Sequence, residues 1–392
     1  MAWIKSVTFT GLAGNNKERT IKFNRDVNII WGLNGCGKTS LLKILHGAML
    51  RSTDELSRVH FRSASVEIVS GDHTFVRSIR RPTEEEVEQE NLFEISEMER
   101  SRLSPAERAR RTRAGRWQTE PATQDALKAQ FDHRYLPVSR LSGVMPADVR
   151  YRLARAERPD RGGESEFWDE LFAAALQETW RDYATQELEV IRQIQQRGLA
   201  DVLTAVIGRE EDGETSKTER PINAREASRA VSRFFKSQDI RLPEESIRRL
   251  VQEYAEDAVL RDVVAQIVEV QEKVDAAQEP TRKIEKLVAD LFSGDKRAHF
   301  HAGRLMITLG KKPLGIMSLS SGEKQLLRLF VECRVAGTGA IIIDEPELSM
   351  HVDWQHFLIE SMQSINPDAQ IIVATHSPEV MARVPDEKVF QL

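Results

Sequence analysis

The chain has 392 residues, 40% of them apolar and 30% charged, with a net charge of −5. This is enough apolar material for a core in two or three domains, and the balance does not mark a protein that coats nucleic acid by bulk charge, nor does it rule out a local basic patch. Two distant cysteines, Cys36 and Cys333, exclude a disulfide framework; the start "MAWIKSVTFTGL" lacks a secretion signal's apolar core, and no apolar run nears the ~20 residues that cross a bilayer, so a reducing, cytoplasmic setting is expected.

In chain order, "WIKSVTF", "TIKF" and the apolar run "VNIIW" predict three strands, the third buried. The loop "GLNGCGKT" follows, then "TSLLKILHGAML" with helical spacing of its leucines, then "SVEIVSGDHTFVRSI", two strands around a Gly-Asp turn. Residues 83–99 are strongly acidic and 100–116 strongly basic, which predicts an exposed or mobile insertion. A strand-like phrase, "HRYLPVSRLSG", occupies 133–143. Two long helical regions, about 164–207 and 244–292, flank the polar loop "GREEDGETSKTERP". In the second, Ile247, Leu250, Tyr254, Val263, Ile267, Val270 and Val274 recur near helical spacing, which predicts a helical bundle or a short coiled-coil hairpin. Strands return with "RLMITLG", "AIIIDE" and "QIIVATH". The expected organisation is an α/β domain split by insertions. It has an N-terminal lobe at 1–82, a charged insertion at 83–130, a strand and loop at 131–150, a helical insertion at 151–299 and a C-terminal lobe at 300–392.

Four stretches carry chemistry. "GLNGCGKT", Gly32 to Thr39, has the P-loop form between a buried strand and an amphipathic helix. Gly35 and Gly37 let backbone N–H groups converge on phosphate, Lys38 reaches the β- and γ-phosphates, and Thr39 offers a hydroxyl to Mg2+. A Gly-rich helix cap has the same local form; the flanking elements favour the phosphate cradle. In "GAIIIDEPELSMH" an apolar strand ends in two acids, Asp344 for Mg2+ and Glu345 to polarise the water that attacks the γ-phosphate. "IIVATHSPEV" is a further strand ending at His376, which can sense the γ-phosphate or serve as an ordinary structural histidine. "SLSSGEKQLL" places Ser320, Ser321 and Gly322 at a helix start, a second anion site that one nucleotide on one domain cannot also use.

In their order, "GLNGCGKT", "LSSGEKQ", "IIIDEPE" and "ATHSP" resemble the Walker A, signature, Walker B and switch-histidine motifs of ABC-type ATPases. More narrowly the chain resembles the RecF/SMC-like and OLD-like branch, and the combination is similar to ATPases of bacterial anti-phage defence systems. The resemblance implies a P-loop ATPase head with a mixed sheet, interrupted by a mainly α-helical insertion, that binds ATP and Mg2+ and pairs head to tail. It implies nucleotide contacts from Gly32, Asn34, Gly35, Cys36, Gly37, Lys38, Thr39 and Ser40, with Ser320, Ser321, Gly322 and Glu323 acting on a second copy's nucleotide. Thr39 and Asp344 would hold the metal, and Lys38, Glu345 and His376 would be catalytic; "PELSMH" resembles the D-loop. Ser321 and Glu323 stand where transporters usually have glycine and glutamine, and "LPVSRLSG" sits where a Q-loop belongs but has no glutamine.

The function expected from the resemblance is an ATP-driven switch for a separate effector, such as a nuclease or toxin, in anti-phage defence. Since the chain ends soon after His376, that effector is expected on another polypeptide. The alternatives are a repair or chromosome-maintenance ATPase that clamps DNA, a transporter's ATPase subunit, and a scaffold that binds ATP without turnover. Arg108, Arg110, Arg111, Arg113 and Arg116 could contact DNA, against the acidic run beside them. Trp117, Trp168 and Trp180 are expected in packing rather than base stacking.

Overall fold

A computed structural model describes residues 2–82, 115–138, 164–207, 223–237, 241–301 and 303–392. Most of the charged insertion, with Arg108, Arg110, Arg111 and Arg113, lies outside them, as does the loop from residue 139 onward that holds the Q-loop position. The described chain divides into two compact units, residues 1–180 with 284–392 and residues 181–283.

The first unit is built on parallel strands. The apolar runs read as buried strands are β3 (Val27–Trp31), β11 (Ala340–Asp344) and β12 (Gln370–Thr375); β11 and β12 are buried at every position. With β7 (His133–Leu136) and β13 (Val389–Gln391) they form one sheet in the order β13-β3-β12-β11-β7, every pair parallel. Parallel strands bring their carboxyl ends to one edge, where the loop after Trp31, Asp344 and His376 all emerge.

An antiparallel sheet, β2-β1-β4-β5-β6, is built from β1 (Ala2–Thr10), β2 (Arg19–Lys22), the hairpin β4 (Ser63–Ser70) with β5 (His73–Arg80), and β6 (Gln118–Glu120). The parallel and antiparallel parts are thus separate layers around one core. That core holds α1 (Lys38–Leu50) through Leu41, Leu42, Ile44 and Leu45, against Ile4, Val66, Ile342 and Ile372. Arg77, fully buried on β5, donates to the carbonyls of Ala48, Met49 and Ala129, so a guanidinium closes the carboxyl end of α1. Trp117 is buried in the same core and donates to the Ser52 carbonyl; Trp180 packs on Phe300, while Trp168 is 36% exposed.

A smaller antiparallel sheet, β8 (Lys296–His301), β9 (Arg304–Leu309) and β10 (Lys312–Leu314), precedes α7 (Ser321–Val335). Between β12 and β13 lies the short α9 (Pro378–Met381), and α8 (Val352–Ile365) separates β11 from β12.

In the helical region, α2 (Gln124–Lys128) is followed by α3 (Glu164–Ile207), a single helix over the first predicted region. The second region is two helices, α5 (Glu244–Glu253) and α6 (Ala258–Leu291), broken at Tyr254–Asp257, and an additional helix, α4 (Ala224–Ser237), precedes them. The break has a local cause: the Asp257 carboxylate accepts from the N–H groups of Val259 and Leu260 and so starts a new helix. The second unit has a core of its own, with Ala227, Val231 and Phe234 of α4 against Tyr254, Val264, Ile267 and Val270. Gly198 on α3 lies so close to Val270 that a side-chain carbon there would collide with it.

Candidate functional site

The loop after β3 is a left-handed backbone in two places, Gly35 at φ +85° and Gly37 at φ +104°. A side chain at Gly37 would also meet Leu12 at 3.1 Å, whereas the space above Gly35 is open, which suits a ligand lying against the backbone. Gly37 caps α1 without a side-chain acceptor, and no acid stands in the first turn, so the helix start keeps its positive character for an anion. Lys38 is buried, and its Nζ donates to the carbonyls of Gly32 (2.7 Å) and Leu33 (3.3 Å), holding the ammonium at the loop.

A cavity of about 330 Å³ opens here. Asn34, Gly35, Gly37, Lys38, Thr39 and Ser40 line it from the loop, and Glu345 lines it from the carboxyl end of β11. Gly32 and Cys36 stay behind the lining; Gly32 is buried with no room for a side chain, since a carbon added there would lie 2.6 Å from the Cys36 sulfur.

Asp344 is buried, and neither carboxylate oxygen has a hydrogen-bond partner among the described residues. Burial pushes its pKa up to about 6; the Thr39 hydroxyl, close by but short of hydrogen-bond geometry, and the Lys38 and Lys43 charges oppose that rise, while Glu345 adds to it. Two orphaned hard oxygens facing an exposed threonine hydroxyl fit a divalent cation that takes its remaining ligands from water and phosphate. Among the described residues no cluster of three histidine, cysteine or acidic side chains forms a complete cage by itself.

Glu345 takes a left-handed backbone (φ +48°), with its N–H on the Ala374 carbonyl at 2.8 Å, which fastens the turn after β11 to β12. His376, 44% exposed, has its Nδ1 3.7 Å from Glu345 and 3.1 Å from Glu347. Glu347 is buried, and its Oε1 also accepts from the Thr375 hydroxyl (2.6 Å) and the His376 N–H (3.0 Å). Sequence reasoning assigned Glu347 no role. The signal was present in the third acid of "DEPE", but the direction of a side chain in an irregular turn cannot be read from periodicity. His60, which lines the cavity after the chain returns toward β4, had no local signal at all.

The second anion loop stands apart from that cavity. Ser320 and Ser321 are exposed at the start of α7. Ser320 forms a capping box with Glu323: its hydroxyl accepts from Glu323 N–H and its own N–H bonds the Glu323 carboxylate. Lys296 takes the other Glu323 oxygen at 2.7 Å, so this buried carboxylate is spent on shaping the loop. Gly322 is buried against the segment after β11, and an added carbon would lie 2.5 Å from the Ser349 carbonyl. Lys324 pairs with Asp169 at the start of α3, 2.8 Å away.

Comparison with known proteins gives three kinds of match. Residues 197–382, a little under half of the chain, match the family model described as AAA domain, putative AbiEii toxin, Type IV TA system. A retron Vc95 probable ATPase from Vibrio cholerae serotype O1 biovar El Tor is 32% identical over 89 residues, covering 19% of this chain and 17% of the relative. A retron Ec83 probable ATPase from Escherichia coli is 29% identical over 101 residues, covering 22% and 19%. The matched stretch thus spans less than a fifth of either relative. Among solved structures, the Smc head domain with an extended coiled coil bound to the C-terminal domain of ScpA, from Pyrococcus furiosus, covers 97% of this chain and 92% of its own. Its identity is 13% and its TM-score 0.41. At that score the fold assignment stands on the strand order and the P-loop described above.

Proposed function

We propose that this chain, an ABC-type P-loop ATPase of the RecF/SMC-like class, binds ATP in the cavity at Gly35–Ser40 and hydrolyses it with Glu345. The observation that carries the reading is the convergence on one cavity of a helix start without a cap, a buried lysine and Glu345, with the orphaned Asp344 beside it. The loop N–H groups and Lys38 hold the phosphates, and Glu345 takes the proton of the attacking water. Thr39 and Asp344 would hold Mg2+, which would supply positive charge against the bound phosphates. His376 stands beside Glu345 to contact the γ-phosphate.

Pairing of two heads belongs to the same proposal. Ser320 and Ser321 are exposed at a helix start and do not line the cavity, which supports a second copy's nucleotide as their ligand. The ATP cycle then makes and breaks the pair, and the insertion passes that change to a separate effector protein in the cytoplasm. The toxin named in the family description and the two retron ATPases support a setting in a multi-component defence system.

The test is direct. Lys38→Ala abolishes ATP binding in calorimetry, and Glu345→Gln keeps binding while phosphate release drops by about 10²-fold or more. Glu345→Gln with Mg-ATP elutes as a dimer on sizing, and Ser320→Arg elutes as a monomer. ATP-dependent pairing that survives in Ser320→Arg rejects the trans role, and unchanged turnover in Glu345→Gln rejects the catalytic assignment.

A further inference from the structure

Two acids flank His376, and the motif accounts for only one of them. Glu345 lies 3.7 Å from Nδ1, beyond hydrogen-bond reach, and lines the nucleotide cavity. Glu347 does not line it. Its carboxylate is buried, and a single oxygen, Oε1, faces the Thr375 hydroxyl at 2.6 Å, the His376 backbone N–H at 3.0 Å and His376 Nδ1 at 3.1 Å. Oε2 is buried and has no partner among the described residues. A merely structural acceptor for a hydroxyl and an N–H needs no charge, and a buried carboxylate with one oxygen orphaned is costly to keep.

The protons around Oε1 follow from the chemistry of its neighbours. A backbone N–H can only donate. Thr375 Oγ1 already accepts from the Ser377 N–H at 2.9 Å, so its own proton points to Glu347. An oxygen receiving both has no proton to give, so the 3.1 Å approach of Nδ1, an ion-pair distance outside good hydrogen-bond geometry, is attractive only with a proton on Nδ1.

We infer that Glu347 is a positioning residue that holds His376 as its Nδ1–H tautomer, presents Nε2 to the ligand, and leaves Glu345 uncommitted for the attacking water. Nε2 is then an acceptor in the neutral ring and a donor to a phosphate oxygen once it takes up a proton, with the Glu347 charge balancing the cation. The contact also ties the turn after β11 to the end of β12, so the two strands that carry Asp344, Glu345 and His376 share one anchor. Its consequence for turnover rests on the ATPase reading above; the tautomer does not.

The experiment has two arms on the full chain. Nitrogen-15 spectra of histidine-labelled protein, with His376 identified by its loss in His376→Asn, show the Nδ1–H form in the parent and in Glu347→Gln, which keeps an acceptor. They show a tautomer mixture in Glu347→Ala. Steady-state ATP hydrolysis in Glu347→Ala falls about 10- to 100-fold in kcat with KM for ATP within about twofold, and Glu347→Gln recovers part of the loss. An Nε2–H form in the parent, or an unchanged tautomer in Glu347→Ala, overturns the inference. So does a Glu347→Ala protein that loses only thermal stability while kcat stays at the parent value. If the parent hydrolyses no ATP, the ATPase reading fails and the spectra alone decide the positioning of His376.

Discussion

Asp344 is a buried carboxylate that nothing among the described residues bonds, and its ionisation works against the fold. Its pKa is raised from the ordinary 3.8 to about 6, so the folded state holds the proton more tightly than the unfolded chain does. The stabilising contribution is complete below about pH 4 and is lost as pH rises through about 6. Without nucleotide and metal, Asp344→Asn is therefore expected to raise stability at pH 7.5 by about 2 kcal/mol and to flatten the pH dependence between 4 and 7, read from thermal melts. The same variant is expected to weaken Mg2+-dependent ATP binding in calorimetry. Destabilisation of the resting protein that a bound cation relieves is what the proposed metal role of Asp344 predicts.

Elements rather than single residues set the second anion loop. The start of α7 and the segment after β11 touch through Gly322, whose missing side chain admits the Ser349 carbonyl, and Ser349 itself takes a left-handed backbone at φ +67°. Trp354 of α8 stacks near Phe292 on the same contact, with ring centroids 6.1 Å apart. Gly322→Ala puts a carbon 2.5 Å from that carbonyl, and we expect a loss of about 1–3 kcal/mol in urea unfolding of the unpaired protein. Ser321→Ala, at an exposed site, stays within about 0.5 kcal/mol. A defect of Gly322→Ala in ATP turnover thus has a cause inside one copy.

At the scale of the whole molecule, each of the two compact units buries apolar side chains of its own. The second unit is closed by Phe234, 1% exposed, against Ile267 and Val270. Phe234→Ala is expected to remove about 3–4 kcal/mol from that unit, seen as faster hydrogen exchange in α4, α5 and α6, with ATP affinity at the P-loop cavity unchanged. Described residues include no helix long and apolar enough to cross a membrane.

The strands β3, β11 and β12 were legible because a parallel strand buried on both faces is an unbroken apolar run, and the P-loop because its glycines and Lys-Thr pair act within a few residues of one another. The helix start at "SSGE" is equally local. Helix α4 and the break at Tyr254–Asp257 were not legible, since amphipathic spacing runs through a turn that a single Asp257 carboxylate decides. Local letters thus determined an α/β head with a P-loop and the strand ends that carry its candidate site. Only the tertiary structure decided that Glu347 serves His376, that His60 reaches the cavity and that Gly322 meets Ser349. Each of these pairs residues about 20 or more apart, whose meeting depends on loop closure and sheet order rather than on local spacing.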